Sequence, residues 1–303
     1  MIFSATTAHP SPTTETLSRC DLADLTERVG DLFASPHYSP PMLPGVAVEL
    51  LDVAMYPELN LRRIAAMIAQ DPLLAGRVMQ RVRSPLYRGW VPVGDLQHAI
   101  LRLGLNHIRD IVIEAALDLR VFQTTGYADA MERVRQHSVA TAHIAKILAP
   151  HTGQDPHEMF LLGLLHDVGI AAALITVDQI FDGKRRPPIE QIWPVLEAIH
   201  ESTGTLVTRI WDLPSFISTH IGSHHHAKAG ASHPAVSTLC IAEAIAGRLD
   251  RGITPRDRPE FFASAIDLTP PDVVASARTA LNLEREVIVS VLRSAEERLD
   301  AVA

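Results

Sequence analysis

From Val46 onward the chain is divided by helix-starting residues, and almost nowhere does it alternate apolar with polar residues as a strand must. Asp71-Pro72, Asp95, Asp155-Pro156, Pro214 and Pro234 each supply a side-chain acceptor or a pre-set φ where a helix begins. Apolar residues then recur at helical spacing: Leu73, Leu74, Val78 and Val82 after Asp71; Leu96, Ala99, Ile100 and Leu103 after Asp95; Val236, Leu239, Ile241, Ile245 and Leu249 after Pro234. A side-chain period of 3.6 cannot serve a sheet, so the chain is predicted to be all-α, built as a multi-helix bundle.

The same reading divides the chain. Residues 1 to about 16 are Thr, Ser and Pro without apolar periodicity, the composition of a disordered start. Leu22, Leu25, Val29, Leu32 and Phe33 form a first amphipathic helix, and four prolines between Pro36 and Pro44 stop it and hold the next stretch extended. Residues 1–40 are therefore taken as a disordered start, one helix and a Pro-rich linker. Residues 41–125 follow as a helical lobe with starts at Asn60, Asp71, Asp95 and Asn106. A turn at Thr124-Thr125-Gly126 opens a second lobe, 126–250, and residues 251–303 form a helical extension with helices near 271–280 and 283–299.

Composition excludes several classes. The net charge of −8 argues against general attraction to nucleic acid. One local exception is Arg62, Arg63, Arg77, Arg81, Arg83 and Arg88 against the single acid Asp71, a stretch that could form an interaction surface. The N-terminus has neither a basic start nor a long apolar core, so no secretory signal is expected, and no run is read as a membrane span. Cys20 and Cys240 form no CxxC or CxxH pattern, which makes a reducing cytoplasm the default location.

Chemistry concentrates at Gly163-Leu164-Leu165-His166-Asp167-Val168-Gly169-Ile170. Phe160, Leu161, Leu164 and Leu165 put His166 and Asp167 on the last turn of a helix, with Gly169 as its left-handed stop. His137, His200, His224, His225 and Glu243 also fall on or at the ends of predicted helices. Imidazole is a borderline ligand and carboxylate a hard one, so this set suits one or two ions of Fe, Mn, Zn or Ni. With two ions Asp167 would bridge them, an arrangement that activates water against phosphorus. The chain has fifteen histidines, so a scattered structural set is the alternative on spacing alone.

The order of these residues resembles the HD superfamily of helical metal-dependent phosphohydrolases, and residues from about 41 to 235 resemble its HDOD branch, the HD-related output domain of bacterial signalling proteins. The resemblance is carried by Leu43-Pro44, Asp71-Pro72-Leu73 with Arg77-Val78, Ala99-Ile100-Leu101-Arg102-Leu103-Gly104, His166-Asp167-Val168-Gly169, His200-Glu201-Ser202-Thr203-Gly204, and Trp211-Asp212-Leu213-Pro214 leading to His224-His225. It implies an HD-like fold with an N-terminal helical lobe, and a regulatory module that works through signalling proteins. It also implies a metal site at His137, His166, Asp167, His200, His224, His225 and Glu243. Compared with the HD-GYP relatives, which cleave cyclic dinucleotides, Ile170 stands where a lysine follows HDxG, Arg133 replaces a glutamate, and Glu243 replaces the final aspartate; no GYP triplet follows His224-His225. The rival expectation is a metal-dependent phosphohydrolase acting on a nucleotide or phosphodiester, with Asp167 as its catalytic residue. The metal ions themselves or the Lys184-Arg185-Arg186 loop could then replace the missing lysine.

Overall fold

A computed structural model describes residues 17–52, 61–87, 92–181, 186–225, 233–253 and 271–302. Among them every regular element is a helix, so the fold is all-α as predicted. Helix α1 (Arg19–Ala34) is closed at its start by Ser18 and Asp21 in a capping box and lies on the second lobe. The prolines after it hold an ordered stretch. Trp211 donates its indole N–H to the Pro41 carbonyl at 3.1 Å, and Phe33 meets Tyr38 edge-on.

Helices α2 (Gly45–Asp52), α3 (Leu61–Ala69), α4 (Pro72–Val82), α5 (Leu96–Leu103) and α6 (Leu105–Arg120) build the first lobe. Asp71 caps α4 through Leu73 and Leu74, and Asp95 caps α5 through His98. Gly104, with φ 78°, ends α5 and at once precedes α6, so the helix expected from Asn106 begins at Leu105. The Asn60 cap lies outside the described residues.

The second lobe contains α7 (Ala128–Thr152), α8 (Pro156–Leu165), α9 (Val168–Ile180), α10 (Ile189–Ile210), α11 (Ser215–Ile221) and α12 (Pro234–Arg248). Helix α7 is its axis, packed against α8 and α12, while α9 lies on α10. Helices α8 and α9 are apolar all round, as helices surrounded by protein must be. Pro156–Ile180 is in fact long and apolar enough to cross a membrane, contrary to the reading that no run approaches a span. The stretch turns at His166-Asp167 and is almost wholly buried. In the extension, α13 (Pro271–Ala280) packs on α12 and α14 (Arg285–Val302) on α7.

Two glycines set the closest helix approaches. A Cβ at Gly163 would stand 2.7 Å from Ala142 Cα, so α7 and α8 meet through it. A Cβ at Gly169 would overlap the His200 carbonyl oxygen and come within 2.7 Å of the Gly204 nitrogen. Gly169 therefore lies inside α9 and is no left-handed stop, because its missing side chain is what admits α10.

The lobes are joined by a charged seam along α6, where Asp110, Glu114 and Asp118 share one face. Lys146 and His157 reach Asp110 at 2.6 and 2.7 Å. Arg81 of α4 pairs with Glu114 at 2.9 Å and Asp118 at 3.0 Å, and Arg298 of α14 donates to His143 at 3.2 Å. Burial pushes the Glu114 carboxyl up to about 7 against the pull of Arg81. The arginine stretch is mixed. Arg62, Arg63, Arg77 and Arg83 are exposed, Arg81 is half-buried against Glu114 and Asp118, Arg83 donates to the Val93 carbonyl, and Arg88 lies outside the described residues. Arg77 is bonded to Gln80. Arg81→Ala is expected to cost about 3 kcal/mol because it leaves the buried Glu114 without its cation, Asp118 keeping Arg135, and Arg77→Ala to stay within about 0.5 kcal/mol. Urea denaturation of the two variants measures the difference; equal effects would contradict this placement.

Candidate metal centre

Two helix interiors and two interhelical turns aim their histidines at one carboxylate. His137 comes from the middle of α7, His166 and Asp167 from the tight turn between α8 and α9, His200 from α10, and His224 and His225 from the turn after α11. Each of four rings is fixed the same way: Nδ1 of His137 meets the Arg251 carbonyl at 2.8 Å, His166 that of Gly163 at 2.8 Å, His200 that of Glu197 at 2.7 Å, and His224 that of Ile221 at 2.6 Å. A carbonyl only accepts, so each Nδ1 carries the proton and each Nε2 is turned inward as a ligand atom.

Asp167 divides these nitrogens between its two oxygens. His166 and His137 lie 3.1 and 3.6 Å from Oδ2, and His224 and His200 lie 3.5 and 4.0 Å from Oδ1. Two ligand groups follow, His137 with His166 and Asp167, and Asp167 with His200, His224 and His225; within each the ligand atoms lie within 4.8 Å of one another. Both Asp167 oxygens, Nε2 of His200 and His224 and both ring nitrogens of His225 are buried without a hydrogen-bond partner. Unpaired buried polar atoms are costly, and so many converging on one point fit a divalent cation. When bound, such an ion polarises a ligand oxygen and draws protons from it.

The electrostatics of the protein alone are uneven. Burial opposes charge on His166, but Asp167, with a contribution from Glu243, overrides it and pushes the imidazole up to about 9. Burial would raise Asp167, yet His166, His224 and His200 hold it well below the usual carboxylate range. His137 and His200 are pulled down by burial, with a neighbouring imidazole adding to it in each case. The Nε2 atoms of His137 and His166 stand 3.2 Å apart, a contact in which two lone pairs would repel unless a proton or cation lies between them.

Glu243 is the one sequence-predicted ligand outside both groups. It is buried on α12 and acts on His137 and His166 through its charge. Sequence reading missed three supports. Glu201 accepts the His225 backbone N–H at 3.1 Å and lies 3.7 Å from His224 Nδ1, Cys240 donates to the His224 carbonyl at 3.1 Å, and the Arg251 carbonyl orients His137. Only Glu201 carried a signal, as the neighbour of His200; a backbone carbonyl carries none.

An all-α bundle whose helices and interhelical turns enclose a shared aspartate and a ring of histidines defines an HD-type helical protein. The chain belongs to the HDOD domain family, whose profile matches residues 41–227. Among solved structures it is similar to an HDOD domain protein of unknown function from Geobacter sulfurreducens, with 21% identity, a TM-score of 0.67, and coverage of 93% of this chain and 99% of that one. It is also similar to a candidate metal-dependent phosphohydrolase from Shewanella amazonensis, with 18% identity, a TM-score of 0.63 and coverage of 92% and 99%. A candidate signal transduction protein from Marinobacter aquaeolei shares 18% identity with a TM-score of 0.64, covering 96% of this chain and 66% of that one. At such identities these likenesses show the fold. An uncharacterised protein of Treponema pallidum is 24% identical over 247 residues, and the chain spans about half its length, 46%.

Proposed function

We propose that the chain is a bacterial signalling module that acts in the cytoplasm through protein partners, with a buried centre for one or two divalent transition ions. One observation carries this reading: the ligand side chains of His137, His166, Asp167, His200 and His224 are at most 4% exposed and only His225 of the two groups is half-buried, so little of the centre is open to a substrate. Catalytic metal sites keep a coordination position open to substrate, whereas structural sites are closed. Phosphodiester hydrolysis also needs a cation for the non-bridging oxygens. Ile170, buried in α9, supplies none, and Arg186 is bonded through Nε to Asp178. Lys184 and Arg185 lie outside the described residues.

A second reading, a phosphohydrolase acting on a nucleotide or phosphodiester, has one observation in its favour. A cavity of about 660 Å³ lined by Arg133 and Arg186 begins one helical turn from His137. Protein loaded with Mn or Fe is expected to show no turnover of cyclic di-GMP and at most weak hydrolysis of bis(p-nitrophenyl) phosphate. Steady turnover of a cyclic dinucleotide, lost in Asp167→Ala, would replace the first reading with the second.

A further inference from the structure

Helices α12, α13 and α14 enclose a groove of about 300 Å³ on the side of the molecule formed by the C-terminal extension. Its floor is Ile241 and Ile245, both buried, and its walls are Val274, Ile288, Val289 and Leu292. Val289 is 48% exposed although its neighbours in the groove are apolar. Three arginines complete the lining, one from each helix: Arg248, Arg278 and Arg285. Arg248 has a partner of its own. Arg278 and Arg285 are exposed, and among the described residues neither makes an ion pair.

The placement of Arg285 is not explained by the fold. It is the first residue of α14, where the helix dipole disfavours a cation. Glu284 and Glu286 flank it in sequence but do not line the groove. A cationic rim around an apolar trough is also out of character for a chain of net charge −8.

We infer that this groove docks an amphipathic helix of a protein partner whose apolar face is flanked by carboxylates. The volume lies at the bottom of the range for small-molecule sites, enough for the side chains along one helix face. Charge complementarity selects the partner, since Arg278 and Arg285, delivered by two different helices, suit carboxylates spread along a helix better than one anionic headgroup. The inference rests on the reading of the chain as a module that works through protein contacts, and it assigns the contact to the extension and away from the histidine centre.

Fluorescence anisotropy on the 303-residue chain tests it. The probe is a synthetic helix of about four turns with leucines at i, i+3, i+4 and i+7 and glutamates beside them, compared with a twin in which lysines replace the glutamates. The acidic helix is expected to bind at least about tenfold tighter than the lysine twin, and to weaken as salt is raised. Arg278→Glu with Arg285→Glu should weaken it about tenfold or more, and Val289→Asp should weaken it without altering the helical circular dichroism or the metal content. The milder pair Arg278→Gln and Arg285→Gln gives a smaller loss of the same sign and serves if the reversal disturbs folding. Equal binding of the two helices, insensitivity to these variants, or binding of dodecanoate in place of the acidic helix would overturn the inference. If the acidic helix fails to bind while Mn-loaded protein stays catalytically silent, the groove assignment alone fails. If it binds while cyclic dinucleotides are turned over, the regulatory reading alone fails.

Discussion

Gly169→Ala is expected to cost about 3 kcal/mol or more, at or above the upper end for overpacking an interior, because the overlap is with backbone. The added methyl would fall onto the His200 carbonyl and the Gly204 nitrogen, both backbone atoms of α10, which cannot turn aside as a side chain could. Relief would require α9 and α10 to separate, carrying His200 away from Asp167. Gly76 provides the control: a Cβ there meets nothing within 4 Å, and its φ is not positive. Gly76→Ala should be neutral or stabilising by up to about 1 kcal/mol, because it favours helix within α4. Urea midpoints for both variants decide the matter. A Gly169→Ala protein as stable as its parent would mean that α9 and α10 are not packed as described.

Asp167→Ala should remove metal from both ligand groups at once. No other residue belongs to both: one oxygen faces His137 and His166, the other faces His200 and His224. Asp167→Asn keeps the shape but loses the negative charge that both ligand groups share, and it should lower metal content almost as far. The measurement is metal per chain after anaerobic purification with Fe or Mn supplied, with helical circular dichroism as the check on folding. Parent protein that emerges without metal under those conditions would make the histidine cluster a structural remnant.

Much of the fold could be read from the chain because its helix starts are local events. Asp71-Pro72, Asp95, Asp155-Pro156 and Pro234 start helices where their chemistry says they should, since a cap depends on residues two or three positions away. Gly169 defeated the reading for the opposite reason. A glycine near a predicted helix end signals a left-handed stop, and only the distant α10 reveals that it serves a close approach. The candidate site divides in the same way. Its ligand residues were visible as types that bind metal on helices or at their ends, and six of the seven converge. Glu243 is the exception, since a position on the right helix does not set the distance its carboxylate spans. Arg81 was misjudged with it: charge on a helix face looks like a surface until Glu114 and Asp118 are seen to lie against it.

The family match ends at residue 227, but the centre does not. His137 is held by the carbonyl of Arg251, Arg133 by that of Ile253, and His224 by the thiol of Cys240. A fragment cut at the family boundary would retain the histidines and the aspartate of both ligand groups while losing the backbone that fixes the tautomer of one and the hydrogen bond behind another. It would also bare the side of α7 that α12 and α14 cover. The unit that must be inherited, fused or transplanted intact is therefore longer than the unit by which kinship is recognised, and shuffling this module between proteins at its family limits would separate the ligands from what aims them.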